Sequence, residues 1–357
     1  MAKIGAVVLA GGVTVTIGTV IGCATRRRTT DRAAPLVLAL RESVVDVASH
    51  PAFIGTPSRA ARRAAAVLRG VTAVTDVLGV DFSTQITPLI ASPHPPSWLM
   101  AGVHVHRDIF QGWPVYVLTS KDERQHNSRV VALHGGAYVV EPTVNHWAAY
   151  AEIARRNRCA VVIPIYPLAS TPQGRAATVI PALADFLTMQ VRQHGDDNIA
   201  VYGDSAGGAM ALAAAQILVE TGRATPRSMV LISPWLDATM TNPAINAIDD
   251  PVLRSTSLRT AGQQWAGTLA LTDPLVSPLY GSMTGLPPTT IYCGNRELFA
   301  ADVLRLRQQA ESTPGHTFTF VLRDGAIHDW AMGGLFATPE SVAVQHQVYK
   351  QIGLVTG

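Results

Sequence analysis

The heptapeptide Tyr202-Gly203-Asp204-Ser205-Ala206-Gly207-Gly208 joins the short apolar run 199–202 to the alanine-rich stretch 209–222. The run before it is typical of a strand and the stretch after it of a helix, so a sharp strand-to-helix turn is expected between them. Glycines on both sides of the serine remove Cβ atoms where this turn is tightest and leave the hydroxyl exposed. A G-x-S-x-G motif in this context predicts a catalytic nucleophile at Ser205.

A second glycine motif, His134-Gly135-Gly136-Ala137-Tyr138, ends the apolar run 130–133. Gly135 and Gly136 can present two backbone N–H groups, and the N–H of Ala206 can supply a third. Three such donors predict an oxyanion hole, in which one donor is typically worth about 3 kcal/mol of transition-state stabilisation. His134 itself is expected to shape the loop rather than to transfer protons.

From about residue 103 onward, β-rich runs alternate with helical stretches, as in a parallel sheet with crossover helices. Several runs are continuously apolar, which is typical of strands covered by helices on both faces. The first pair is expected to be antiparallel. The eight predicted strands are Val103–His106, Val115–Leu118, Val130–Leu133, Ala160–Ile165, Ile199–Tyr202, Met229–Ile232, Thr289–Cys293 and Phe318–Leu322.

A mostly polar, helical segment from Asp237 to Thr272 interrupts this alternation. We interpret it, together with residues 31–100, as a helical cap over the carboxyl edge of the sheet. The predicted organisation is an N-terminal apolar segment over residues 1–30, an N-terminal part of the cap over 31–100, and an α/β catalytic domain over 101–357 with a cap insertion at about 238–272.

Composition excludes several classes of protein. The chain has 357 residues with a formal net charge of +3, so it lacks the basic excess of a nucleic-acid-binding protein. Only 15% of residues are charged and 48% are hydrophobic, which excludes extensive disorder and predicts some apolar surface against a membrane or lipid. Cys23, Cys159 and Cys293 lie far apart, so neither a zinc site nor a disulfide framework is indicated.

The N-terminal stretch from Ile4 to Ala24 has no charged residue. Its length is close to the roughly 20 residues of a spanning helix. Three interpretations are open: a retained membrane anchor, a secretory signal with Cys23 lipidated, and a buried apolar segment or misassigned start. Residues 26–69 then carry nine arginines against three acidic residues, and Thr56 and Pro57 predict the start of a helix with a basic face suited to anionic headgroups. We expect a membrane-associated or cell-envelope protein.

Several further segments join the two glycine motifs HGGAY and GDSAGG. They are YPLAS at 166–170, SPWLD at 233–237, SPL at 277–279, GLPP at 285–288 and a histidine near the C-terminus. Together these segments resemble the hormone-sensitive-lipase-like family of α/β-hydrolases, also called bacterial esterase family IV, over residues 110–355. Two departures are that YPLAS lacks the Pro-Glu usual after it, and that the common Asp-Pro-Leu acid motif is altered. The resemblance implies an α/β-hydrolase core with a helical cap, a Ser-acid-His triad and carboxylic ester hydrolysis without cofactor or metal.

The resemblance also implies the two partners of Ser205. Glu297 lies three residues after the glycine that ends the strand 289–293, where the family has Asp or Glu. Asp302 and the literal Asp-Pro-Leu at Asp273 are the alternatives for the acid. His328 follows the last predicted strand and completes the chain order Ser, acid, His, so it is the candidate base.

These residues predict a serine esterase or lipase acting on short- to medium-chain or lipid esters through an acyl-enzyme. An amidase or arylacetamide-deacetylase-like hydrolase is the alternative, because the same triad serves both reactions. A catalytically inactive, ligand-binding member of the fold is a further one. The expected partners are a small-molecule ester or lipid and a membrane surface, with no nucleic acid.

Overall fold

The computed structural model describes residues 45–77, 90–122 and 127–352. The predicted N-terminal segment 1–30, Cys23 within it, and parts of residues 31–100 lie outside these ranges. Among the helices in the described ranges, none has the length and apolar character needed to cross a membrane.

The described residues form one eight-stranded sheet in which the first two strands are antiparallel, as predicted, and the second strand is also antiparallel to the fourth. All other neighbours are parallel. Numbered along the chain, the strands lie in the order 1-2-4-3-5-6-7-8 across the sheet. The predicted eight strands are confirmed. They are β1 Val103–Phe110, β2 Trp113–Ser120, β3 Arg129–Leu133, β4 Ala160–Pro164, β5 Ile199–Asp204, β6 Ser228–Ile232, β7 Thr289–Arg296 and β8 Phe318–Ile327.

Helices cover both faces of the sheet, so alternate residues of the central strands enter two separate apolar cores. Val131 and Leu133 of β3 pack in one core, whereas Val130 and Ala132 pack in the other. This is why β3 reads as a continuous apolar run. The helices within the described ranges are α1 Arg59–Val77, α2 Val144–Asn157, α3 Ala176–His194, α4 Ser205–Glu220, α5 Ser255–Ala266, α6 Ala300–Glu311 and α7 Pro339–Gln351.

The sheet register brings the predicted motifs to one edge. Leu133 at the end of β3 lies opposite Gly203 near the end of β5, so the loops after both strands begin side by side. β6, β7 and β8 continue parallel to β5. Ser205, Glu297 and His328 are each the first residue after β5, β7 and β8, so they share this edge.

Helix α1 contacts the segment that was predicted to be a cap insertion. The Arg69 guanidinium is paired with Asp249, and the Thr72 hydroxyl donates to the Pro251 carbonyl oxygen at 3.3 Å. The helix begins at Arg59 rather than directly after Pro57, because the Ser58 hydroxyl accepts the Ala61 N–H at 3.0 Å and caps the first turn. The predicted domain boundaries stay predictions.

Candidate active site

The nucleophile motif forms the sharp turn between β5 and α4. Ser205 has a φ of +51°, in the left-handed region that costs energy for a residue with a side chain. A Cβ atom on Gly203 would lie 2.7 Å from the Gly207 carbonyl oxygen, and one on Gly207 would overlap the Leu133 carbonyl oxygen. Only glycine fits at both positions, so the packing of β3 against the turn fixes the serine at the start of α4.

His328 and Glu297 are hydrogen-bonded to each other. The distance from His328 Nδ1 to Glu297 Oε2 is 2.8 Å, and both side chains are buried. Glu297 Oε1 accepts the Gly294 N–H at 2.7 Å and the Ser233 hydroxyl at 2.9 Å. The carboxylate is therefore fixed by its own loop and by the loop after β6, with one oxygen left for the imidazole.

The two alternative acids are engaged elsewhere. Asp302 accepts hydrogen bonds from Asn242 at 2.9 Å and Arg305 at 3.2 Å, and burial raises its pKa to about 6. Asp273 accepts the Leu275 N–H at 2.9 Å and stabilises a turn. The structure thus places Glu297, and neither of these aspartates, against the imidazole of His328.

The loop after β3 corrects the predicted oxyanion hole. The Gly135 N–H donates to Asp204 Oδ2 at 2.9 Å, so it is not available to an oxyanion. Gly136, Ala137 and Tyr138 follow with φ of +111°, +52° and +64°. Within the described ranges the N–H groups of Gly136, Ala137 and Ala206 make no hydrogen bond. Ala137 therefore replaces Gly135 in the set of candidate donors.

Asp204 also accepts a hydrogen bond from His146, which helps to hold the loop after β3 against the nucleophile turn. His146 Nδ1 accepts the Thr143 N–H at 2.9 Å, so the ring proton sits on Nε2 and is donated to Asp204 Oδ2 at 3.0 Å. A Cβ on Gly135 would overlap Asp204 Oδ2 and lie 2.9 Å from the Ser205 Cβ. Asp204 thus fixes the distance between the two glycine motifs, and Gly135 is required for its small size.

His134 has a structural environment, as expected. Its ring stacks on Tyr166 with centroids 4.3 Å apart, and its Nδ1 lies 2.7 Å from the Gly135 carbonyl oxygen. Burial and the neighbouring His146 lower the pKa of His134 to about 3, with smaller opposing effects of the Gly135 carbonyl and Asp204. The ring is neutral in the working range and acts as a support for the loop.

A series of aromatic rings runs from the candidate base to the cap helix α5. Phe299 packs edge-on against His328 with centroids 5.2 Å apart, and Trp235 stacks on Phe299 at 5.7 Å. Tyr138 then stacks on Trp235 at 5.2 Å and on Trp265 at 4.0 Å. The backbone N–H of Trp235 also donates to the Ser205 carbonyl oxygen at 3.0 Å. These rings close one side of the site.

Sequence reasoning missed several residues of this site. Tyr138 and Trp235 entered the sequence analysis only as members of the HGGAY and SPWLD segments, and Trp265 was not singled out. Ser233, which links Glu297 to the loop after β8, also carried no signal beyond its place in the SPWLD segment. A positive φ of +46° at Ser233 is visible only in the structure.

Comparison with known proteins gives a consistent result. A family model described as alpha/beta hydrolase fold matches residues 130–332. A triacylglycerol lipase of Mycobacterium tuberculosis is 38% identical over 319 residues, which cover 85% of this chain and 67% of the lipase. An esterase of Acinetobacter venetianus is 31% identical over 183 residues, covering 50% of this chain and 60% of the esterase.

Solved structures agree with the sequence relatives. The crystal structure of an esterase from the bacterial hormone-sensitive lipase family superposes with a TM-score of 0.67 at 25% identity. The match covers 84% of this chain and 100% of that one. The two chains therefore share a fold over the whole length of that esterase.

Proposed function

This chain belongs to the alpha/beta hydrolase fold family, and on that premise we propose that it hydrolyses carboxylic esters through an acyl-enzyme on Ser205. The resemblance to hormone-sensitive-lipase-like esterases is confirmed by the sequence and structure relatives. The hydrogen bond from His328 Nδ1 to Glu297 Oε2 carries this proposal. In the proposed reaction the opposite ring nitrogen, Nε2, exchanges the proton with the serine at the same sheet edge.

In the first half of the reaction, His328 Nε2 takes the proton of the Ser205 hydroxyl while Oγ attacks the ester carbonyl carbon. Glu297 orients the ring and stabilises the imidazolium that forms. The N–H groups of Gly136, Ala137 and Ala206 donate to the developing oxyanion. The imidazolium then protonates the alkoxide leaving group, and the alcohol departs from the acyl-enzyme.

In the second half, a water molecule attacks the acyl carbonyl carbon. His328 accepts a proton from this water, and the same N–H groups stabilise the second oxyanion. Collapse of the intermediate returns the proton to Ser205 Oγ and releases the carboxylic acid.

We propose short- to medium-chain acyl esters as the substrates, because a stack of four rings begins at His328 and extends to α5. The rings are those of Phe299, Trp235, Tyr138 and Trp265. All four side chains are buried. A long acyl chain would have to displace this stack or leave along another path. A preference for long acyl chains would instead favour triacylglycerol hydrolysis, the activity named for the Mycobacterium tuberculosis relative.

Hydrolysis of p-nitrophenyl esters from acetyl to palmitoyl tests this substrate range. We expect kcat/KM to peak between butyryl and octanoyl and to fall for palmitoyl, with Trp265→Ala moving the peak toward longer chains. An anilide matched to the best ester should react far more slowly. A palmitoyl peak in the wild-type chain would contradict the short-chain preference, and a faster anilide would indicate an amidase.

We further propose that the protein binds anionic membrane surfaces through its N-terminal part. Helix α1 supports this proposal, because Val67, Val71 and Val74 are 65%, 40% and 60% exposed and lie on one side of the helix. Arg59 and Arg63 are exposed beside them. A ridge of valines next to arginines suits the boundary between acyl chains and headgroups.

Vesicle flotation tests the membrane proposal. The full chain is expected to float with phosphatidylglycerol vesicles and much less with phosphatidylcholine vesicles, because an arginine near an anionic surface is worth about 1 kcal/mol. Removal of residues 1–30 and the double substitution V71S/V74S should each lower the bound fraction. Val342→Ser, which changes an exposed valine on α7, is the matched control. Equal flotation of all variants would reject the proposal.

A further inference from the structure

Both ring nitrogens of His328 lie against carboxylates. Nδ1 is 2.8 Å from Glu297 Oε2, and Nε2 is 3.2 Å from Asp329 Oδ2. An ester hydrolase of this type needs Nε2 to accept the proton of the serine hydroxyl. In the described ranges the Ser205 hydroxyl makes no hydrogen bond to His328, whereas Nε2 lies at ion-pair distance from the Asp329 carboxylate.

Asp329 is held in this position by its backbone. Its φ of +59° is left-handed, a conformation that aspartate tolerates better than most residues. The Asp329 N–H donates to Ser233 Oγ at 3.0 Å, and the Ser233 hydroxyl donates in turn to Glu297 Oε1 at 2.9 Å. The Asp329 carbonyl oxygen accepts the Met332 N–H at 3.0 Å. Ser233 therefore contacts both the carboxylate of Glu297 and the backbone of Asp329.

The ionisation of the Asp329 carboxyl depends on its contact with His328. Asp204 at the end of β5, Glu297 after β7 and Asp250 in the insertion are acidic, and the phenols of Tyr150 and Tyr202 face it from α2 and β5. Burial raises the pKa of Asp329 well above its usual range, the acidic neighbours raise it further, and only His328 lowers it. Asp329 Oδ1 is buried without a hydrogen bond in the described ranges.

The same negative charges favour the protonated form of the His328 imidazole. Burial alone would lower the pKa of His328, but Asp329, the hydrogen bond to Glu297 and the charges of Glu297 and Asp250 outweigh it and raise the pKa to about 9. Below this pH the ring carries protons on both nitrogens. A ring in this state can hold Asp329 but cannot take a proton from Ser205.

We propose that Asp329 is a positioning residue that binds His328 Nε2 in the resting enzyme and competes with the Ser205 hydroxyl for that atom. The proposal rests on the proposed function, because it concerns the base of that reaction. Before attack, the Nε2 proton leaves to water, and the freed lone pair then accepts the Ser205 proton as Oγ bonds to the ester carbonyl carbon. Asp329 thereby sets the pH range in which the site works.

Asp329→Asn tests this competition, because asparagine keeps the shape, tolerates a left-handed φ and removes the charge. The acid limb of the kcat/KM profile, which reports the free enzyme, should move down by about one pH unit. At a pH below the acid-limb midpoints of both enzymes, a shift of one unit raises the neutral fraction of His328 about tenfold. The rate at pH 7 should therefore rise by the same factor. At pH 10 the two enzymes should be equal. Asp249→Asn, on the exposed side of the insertion, should leave the profile unchanged.

A purely structural role would give a different result. Asp329→Asn would then lower activity by the same factor at every pH, and an unmoved midpoint would overturn the proposal. Asp329→Gly also accepts a left-handed φ and serves as a second variant if the asparagine variant does not fold.

Nuclear magnetic resonance titration of the His328 ring separates this proposal from the proposed function, because it needs no substrate. His328→Gln identifies the signal. The titration midpoint should fall in Asp329→Asn whether or not any ester is hydrolysed. An unchanged midpoint would show that Asp329 does not hold the ring proton.

Discussion

Replacing Ser205 with alanine is expected to lower kcat on p-nitrophenyl butyrate about 1000-fold or more, the size of loss seen when a triad residue is removed. In the proposed reaction the Ser205 hydroxyl forms the acyl-enzyme, and the alanine side chain adds no bulk to the turn. Unfolding temperature measured alongside should stay close to that of the wild type. Steady-state kinetics with purified enzyme checks the change.

The matched comparison uses three variants: Ser205→Ala, His328→Ala and the double variant that carries both substitutions. Residues that act as one unit lose activity together, so the double variant should be no slower than either single variant. Activity near the wild-type level in either single variant would overturn the assignment of the nucleophile or the base.

Glu297→Gln is expected to lower kcat between about 100-fold and 10,000-fold, as replacing the triad carboxylate by an amide forces the wrong imidazole tautomer. The Gly294 N–H and the Ser233 hydroxyl both donate to one oxygen of Glu297, so the amide oxygen of glutamine would stay there. Its NH₂ group would then face His328 Nδ1. The ring proton would be forced onto Nε2, where it blocks transfer from Ser205.

Asp273→Asn is the control for the acid, because Asp273 belongs to the literal Asp-Pro-Leu segment and its carboxylate accepts the Leu275 N–H of a turn. Its kcat should equal that of the wild type within a factor of about two, as expected for a surface substitution. A large loss in Asp273→Asn together with an active Glu297→Gln would show that the carboxylate was assigned to the wrong loop.

The strand pattern and the nucleophile turn were predictable from the sequence because their causes are local. A strand covered on both faces must be apolar throughout, so β3 and β5 are visible without any knowledge of their neighbours. Gly203 is needed by the turn itself, because a Cβ atom there would lie 2.7 Å from the Gly207 carbonyl oxygen, whereas Gly207 is needed for the close approach of Leu133 on β3. A requirement set by residues close together in the chain can therefore be recognised in a single sequence.

The details of the site depend on contacts between distant residues and left no such pattern. The Gly135 N–H is engaged by Asp204, 69 positions away, which moves the predicted oxyanion donor set to Ala137. The positive φ of Ala137 could not be read from an alanine. Asp329 was likewise not singled out, because its importance comes from Ser233, 96 positions earlier, and from the three acids that surround it.

Labelling with a fluorophosphonate probe, followed by mass spectrometry of the digested protein, tests the central claim most directly. The wild-type chain should gain one probe per molecule on the peptide that contains Ser205, and ester hydrolysis should fall in proportion to labelling. Ser205→Ala should gain none. Ester hydrolysis that continues after complete labelling, or a probe found on another residue, would contradict the account.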